Sequence, residues 1–151
     1  LVLDGDAMEL AKNSDTAFTV ITPHEGEAAK LGFAVKNGDR KATALELAKH
    51  FHVITVLKGK NTVIASPDGT SIIDKTGGSE LATAGTGDIL AGLIGSMLSS
   101  WKPSNLNETT LVVARAVEAH GLAGKFAAKS KAPVTATDVL ESLPYILKSS
   151  K

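Results

Sequence analysis

The amino-acid sequence predicts an α/β layered fold with a mainly parallel sheet. Three observations carry this. Short β-branched runs alternate with stretches of helical periodicity. Pro67-Asp68-Gly69 supplies turn chemistry between two strand-like runs, so 61–74 is a β-hairpin. Beyond the Ala84-Gly85-Thr86-Gly87 loop the pattern is helical almost to the end.

Taken in order, Leu1 to Leu3 is a short buried strand ending at Asp4, and residues 6–12 suit a short helix. AFTVIT, 17–22, is a second strand. Thr22 stands three residues ahead of Glu25, as in a capping box, and Pro23 fits the first helical position. That helix runs to about Leu31 and Gly32 closes it. Residues 40–51 offer Ala44, Leu45, Leu47, Ala48 and Phe51 as one apolar face. VITVLKG, 53–59, is a buried strand ending in lysine and glycine. In the helix from about 86 to 99, Ile89, Leu90, Leu93, Ile94, Met97 and Leu98 fall at helical spacing. Its Ala91, Gly92 and Gly95 predict close approach to neighbours, since a helical glycine costs about 1 kcal/mol relative to alanine. A long helix spans 107–129. After the linker KAP, TATDVLESLPYIL forms the last helix, opened by a Thr cap with an early Asp. The tail, 149–151, is expected to fray.

With 151 residues, 43% of them hydrophobic, the chain suits one packed domain. Sixteen basic residues balance sixteen acidic ones, so no global field attracts nucleic acid or an anionic membrane, and any anion site must be local. The lack of cysteine excludes a disulfide scaffold and a thiolate nucleophile and fits a reducing, cytoplasmic setting. No segment approaches the roughly 18 apolar residues of a membrane span. LVLDGDAMEL lacks the basic region of a signal peptide and reads as an interior strand without an initiating methionine, which gives the impression of a fragment.

LATAGTGDILAGLIGSML, 81–98, carries the chemistry. Small residues run into the first turn of a helix, where backbone N–H groups are unpaired and the dipole is positive, an arrangement that binds anions. Gly85 and Gly87 let the backbone come close to a ligand. Asp88 would repel a phosphate, unless it handles the hydroxyl that attacks one. The other reading is a plain turn with Asp as a helix-start residue. The loop lacks the Lys-Ser/Thr ending of a P-loop.

VLDGDAM, ITPHEGEAAKL, VLKGKNTVIASPDG, LATAGTGDILAGLIGSML, AHGLAGK and TATDVLESLP occur in that order. Together they make the chain resemble the ribokinase-like family of ADP/ATP-dependent NAD(P)H-hydrate dehydratases over nearly its whole length. The resemblance implies an α/β/α sandwich of which residues 1–148 form the back portion, with the N-terminal part of the domain lacking. It implies repair of the (S)-hydrate of NADH or NADPH, with ADP or ATP as co-substrate, through phosphorylation of the ring hydroxyl and loss of phosphate. On the matching motifs, Asp88 is implied as the base beside the substrate hydroxyl, with Gly85, Thr86 and Gly87 as the anion hole. Lys58, Gly59, Lys60, Asn61 and Thr62 are implied to bind the nucleotide, and His24 and Asp4 to lie near the substrate. Mg²⁺ is expected on the phosphates, through water and phosphate oxygens rather than protein ligands. Relatives are often oligomeric, and the missing N-terminal segment is a further expected partner. The chain departs from the family in lacking Asn-Pro before the loop, in DGD for DAD, and in Lys125 for an acid.

Several of these residues have blander readings. His24 could be a polar residue of a first helical turn, and Lys58 a solvated strand end. His120 reads as a hydrogen-bonded core histidine, and Trp101 as a cap on the core beside Pro103. His50 and His52 flank Phe51 without the further ligands a metal would want. Glu25 and Glu27 suit the dipole of their helix. Two other functions compete: a ribokinase-like small-molecule kinase of the thiazole or pyridoxal type, and an inactive fragment that needs its N-terminal half.

Overall fold

A computed structural model describes residues 1–13 and 18–148. Residue 17, where the second strand was expected to begin, and the tail 149–151 lie outside the described residues. The strands are β1 (Val2–Leu3), β2 (Val20–Ile21), β3 (Ile54–Leu57), β4 (Thr62–Ala65) and β5 (Ser71–Asp74). The α-helices are α1 (Glu25–Lys30), α2 (Arg40–Phe51), α3 (Thr86–Trp101), α4 (Leu106–Ala127) and α5 (Ala136–Lys148). Two 3₁₀ helices, Gly5–Asn13 and Ser79–Leu81, complete the chain, the first standing where a short helix was expected. No helix among the described residues is long and apolar enough to cross a membrane.

The sheet order is β1-β2-β3-β4-β5. β1, β2 and β3 run parallel, and the hairpin adds β4 and β5 antiparallel, so the sheet is mixed. Helices cover both faces. Val20, Ile54, Val56 and Ile64 pack against α3, α4 and α5, while Leu3, Ile21, Leu57 and Val63 pack against α1, α2 and the first 3₁₀ helix. Burial on both sides is why these strands read as continuous apolar runs.

Two expectations need correction. Trp101 is 55% exposed, with Arg115 lying 5.8 Å over its ring, and does not cap the core. The close approaches expected of α3 are not made there: a Cβ on Gly92 would meet nothing within 4 Å, and one on Gly95 only a Val2 methyl at 4.0 Å. They belong to α4. A Cβ on Gly121 would stand 2.1 Å from Thr76 Oγ1 and 2.6 Å from the Gly77 nitrogen, and one on Gly124 2.6 Å from a Leu81 methyl. The segment after β5 therefore lies directly on the α4 backbone. Thr76 Oγ1 also reaches the Glu118 carbonyl at 3.3 Å.

The Thr cap of the last helix is as expected. Asp138 accepts from the Thr135 amide at 2.9 Å and hydroxyl at 2.7 Å. Lys131, then Thr135, hold the Asp138 carboxyl down to about 2.

Gly121→Ala should destabilise the protein by about 1–3 kcal/mol, since backbone must shift to admit the methyl. Gly92→Ala, in open space on a helix, should stabilise by about 0.5–1 kcal/mol. Urea denaturation of both variants measures this; equal effects would mean that the 76–77 segment is not pinned on α4.

Candidate active site

The parallel strands end side by side. β1 leads to Asp4, β2 to Thr22, Pro23 and His24, and β3 to Lys58. The Lys58 amide donates to the Pro23 carbonyl at 2.7 Å, and His24 and Lys58 form a further parallel bridge. In open α/β sheets, ligands gather at such carboxyl ends. Lys58 is not a freely solvated strand end. Its Nζ lies 2.8 Å from Asp4 Oδ1 and 3.8 Å from Glu27 Oε2.

Thr22 does not cap α1. Its hydroxyl donates instead to Asp4 Oδ1. The cap is His24, whose Nδ1 accepts from the Glu27 amide at 3.2 Å while Glu27 Oε2 accepts from the His24 amide at 2.7 Å. The capping box is real but starts two residues later than the sequence suggested, because Thr22 is drawn inward by Asp4. Burial would raise the Asp4 carboxyl. Hydrogen bonds from Lys58 and Thr22, the Lys58 charge and the Gly5 amide outweigh it and hold the group below its ordinary value.

The second half of the site is the start of α3. Gly85 is its N-cap, at φ +88°, a left-handed conformation that suits glycine. Thr86 is occupied structurally: its hydroxyl donates to the Leu81 carbonyl at 2.7 Å and the Thr83 carbonyl at 2.8 Å, and its amide to Thr83 at 3.3 Å. Among the described residues, the amides of Gly87 and Asp88 meet no acceptor. The positive end of a 16-residue helix is thus left open at these two groups.

A cavity of about 630 Å³ joins the halves. Lys58, Gly59, Lys60, Asn61 and Thr62 line one wall, and Thr86 and Gly87 another. Gly87 is the meeting point: a Cβ there would lie 3.3 Å from Lys58 Nζ and 3.8 Å from Asp4 Oδ2. Gly85, His24, Asp4 and Asp88 do not line this cavity. Asp88 stands exposed in the same helical turn as Gly87, and its carboxylate makes no hydrogen bond or ion pair among the described residues. The site therefore offers a walled chamber and, one residue beyond its edge, a free carboxylate.

Sequence reasoning missed the remaining walls. Asp74 ends β5, Gly77 and Ser79 come from the segment after it, and Val117, His120 and Gly121 from α4. His120 is buried, at 6% exposure, as expected of a core histidine, with a backbone hydrogen bond at Thr86, while its Nε2 meets no partner among the described residues. Burial pushes its imidazole below the usual histidine range, against the opposing pull of the Thr86 backbone and the Asp74 charge. His50 packs between the rings of Phe33 and Phe51, at 5.1 and 4.7 Å. Among the described residues no three His, Cys, Asp or Glu side chains converge to hold a metal.

A family model described as NAD(P)H-hydrate dehydratase matches residues 1–145. The bifunctional NAD(P)H-hydrate repair enzyme Nnr of Moorella thermoacetica is 35% identical over 160 residues, covering 98% of this chain and 29% of that protein. The ADP-dependent (S)-NAD(P)H-hydrate dehydratase of Neisseria meningitidis is 38% identical over 114 residues, covering 68% of this chain and 38% of its own length. The ADP/ATP-dependent NAD(P)H-hydrate dehydratase of Bacillus subtilis, co-crystallized with ATP/Mg²⁺, superposes with a TM-score of 0.83 at 32% identity, covering 99% of this chain and 55% of that one. The chain thus spans about a third of the curated relatives' length and about half of the solved structure.

Replacing Lys58 by Met should destabilise the protein at neutral pH. The gap to the parent should shrink as the pH falls through the depressed Asp4 value, because that carboxyl contributes its stability only while ionised. Urea denaturation at about pH 7 and about pH 3 tests this; a pH-independent gap would show that Lys58 does not act through Asp4.

Proposed function

The chain belongs to the NAD(P)H-hydrate dehydratase family, and we propose that it carries the nucleotide site and catalytic base of that repair reaction. One observation supports this above the rest. Gly87, whose amide meets no acceptor among the described residues, lines a chamber shared with the 58–62 segment, and the unpartnered Asp88 carboxylate stands beside it.

In this reading an adenine nucleotide, ADP or ATP, occupies the chamber, with its terminal phosphoryl at the N-terminus of α3. The (S)-hydrate of NADH or NADPH approaches from the Asp88 side. The Asp88 carboxylate takes the proton of the ring hydroxyl, whose oxygen bonds to the terminal phosphorus as the bond to the rest of the nucleotide breaks. The Gly87 and Asp88 amides and the α3 dipole stabilise charge on the phosphoryl oxygens as it builds. Loss of phosphate then breaks the carbon–oxygen bond, and loss of a ring proton restores the dihydronicotinamide. Phosphate leaves far more readily than hydroxide, which is the reason to spend a nucleotide. The Thr86 hydroxyl serves the loop rather than the ligand, and Gly85 provides the turn. In this reading His24, which bridges to Lys58 at the strand ends, meets the hydrate.

Mg²⁺ fits this site as a partner of the phosphates. It would be held through phosphate oxygens and water, since Asp4 and Glu27 are already paired with Lys58 and neither lines the chamber. When bound, the ion would neutralise phosphate charge. The lack of cysteine supports a cytoplasmic setting.

The test is recovery of NADH absorbance from its hydrate on addition of ADP or ATP. A stable phosphorylated product without NADH would favour a small-molecule kinase instead. Asp88→Asn should lower turnover by about 10²–10⁴-fold while ADP affinity, measured by calorimetry, stays within about twofold. Normal turnover in that variant would remove Asp88 from the mechanism.

A further inference from the structure

Arg40 opens α2, after the N-cap Asp39, whose carboxylate accepts from the Ala42 amide at 2.9 Å. Its side chain, 16% exposed, turns away from its own helix toward the segment that follows β3. Nη2 donates to the Leu57 carbonyl at 3.0 Å and the Lys58 carbonyl at 2.8 Å. Nη1 donates to the Asn61 carbonyl at 2.9 Å and also to Lys60. Nε faces Glu25 Oε1 at 2.8 Å. One guanidinium thus gathers four carbonyls of a five-residue stretch and is itself held by a carboxylate.

The stretch is irregular, and besides Arg40 it is held by the Thr62 hydroxyl, which donates to the Gly59 carbonyl at 3.0 Å, and by the Lys58 amide on Pro23. Gly59 has φ +144° and Asn61 φ +57°, both outside ordinary strand geometry. A Cβ on Gly59 would stand 2.7 Å from Nη2, so the backbone there lies directly against the guanidinium. In a trans peptide the N–H points opposite to the C=O before it. With the Lys58 and Lys60 carbonyls turned onto Arg40, the amides of Gly59 and Asn61 point away from it, and both residues line the chamber. The fork that orders the carbonyls therefore also aims the amides.

We propose that Arg40 is the positioning residue of the nucleotide site: by gathering the 57–61 carbonyls it turns the Gly59 and Asn61 amides toward the bound nucleotide. This rests on the nucleotide reading given above. Arg40 does not touch the ligand, and its work needs the planar fork, which lysine lacks.

The protein is titrated with ADP by calorimetry as parent, Arg40→Ala and Arg40→Lys. Both variants should bind at least about tenfold more weakly, lysine failing to rescue because it cannot span four carbonyls. Millimolar methylguanidinium should restore ADP affinity in Arg40→Ala and leave the parent unchanged. Amide hydrogen exchange without ligand should rise at 58–62 in Arg40→Lys while β2 and β4 stay protected. If Arg40→Ala does not fold, Arg40→Lys decides alone. Parent-like ADP affinity in a folded variant overturns the proposal, as does weakened affinity that methylguanidinium leaves unrestored in a folded Arg40→Ala. A parent that does not bind ADP overturns the nucleotide reading itself, and this proposal with it.

Discussion

The ion pair between Lys58 and Asp4 is the constraint on which the site depends. It ties the end of β3 to the end of β1 across the intervening β2, whose Thr22 joins the same carboxylate. A half-buried carboxylate of this kind needs partners, since burial alone penalises its charge. Thr22 and Lys58 supply them, and in doing so fix where the three strands stop. Glu27 faces the same ammonium from α1, and with Thr22 held by Asp4 that helix is capped by His24. A local choice of cap is decided by an ion pair whose two members lie 54 residues apart in sequence.

The chamber above this pair is built by close backbone contacts rather than by large side chains. Gly121 and Gly124 let the segment after β5 rest on α4, and that segment forms much of one wall. The same segment leads through Leu81 and Thr83 to Thr86, whose hydroxyl ties the start of α3 down. The amides left open at the head of α3 are thus held in place from below by threonine bonds, and across the chamber stand the amides of the 58–62 stretch, aimed by Arg40. Preorganised donors of this sort need no rearrangement when charge develops, which is where their catalytic value lies.

Much of this was legible in the sequence. The hairpin, the limits of α2 and the helical start at Thr86 follow from turn chemistry and periodicity, and Thr86 and Gly87 of GTGD share one chamber with the KGKNT motif. What was not legible has a common cause. Thr22, His120, Arg40 and the two α4 glycines take their roles from groups distant in sequence. Thr-Pro-His-Glu reads as a cap at Thr22 until Asp4 is known to compete for the hydroxyl. Gly92 and Gly121 look alike in a helical pattern, yet only one has another backbone against it. Arg40 heads an ordinary amphipathic helix, and nothing local says that its side chain leaves that helix for the next strand's end.

The turn at Gly85 has one more consequence. A Cβ there would come within 3.2 Å of the Ala136 methyl at the head of α5, and Thr83 reaches the Val134 carbonyl at 3.0 Å. The C-terminal helix is therefore moored to the loop that leads into α3. A bulkier residue at 136 would be felt at the head of α3 while appearing, on the surface of the molecule, to have nothing to do with it.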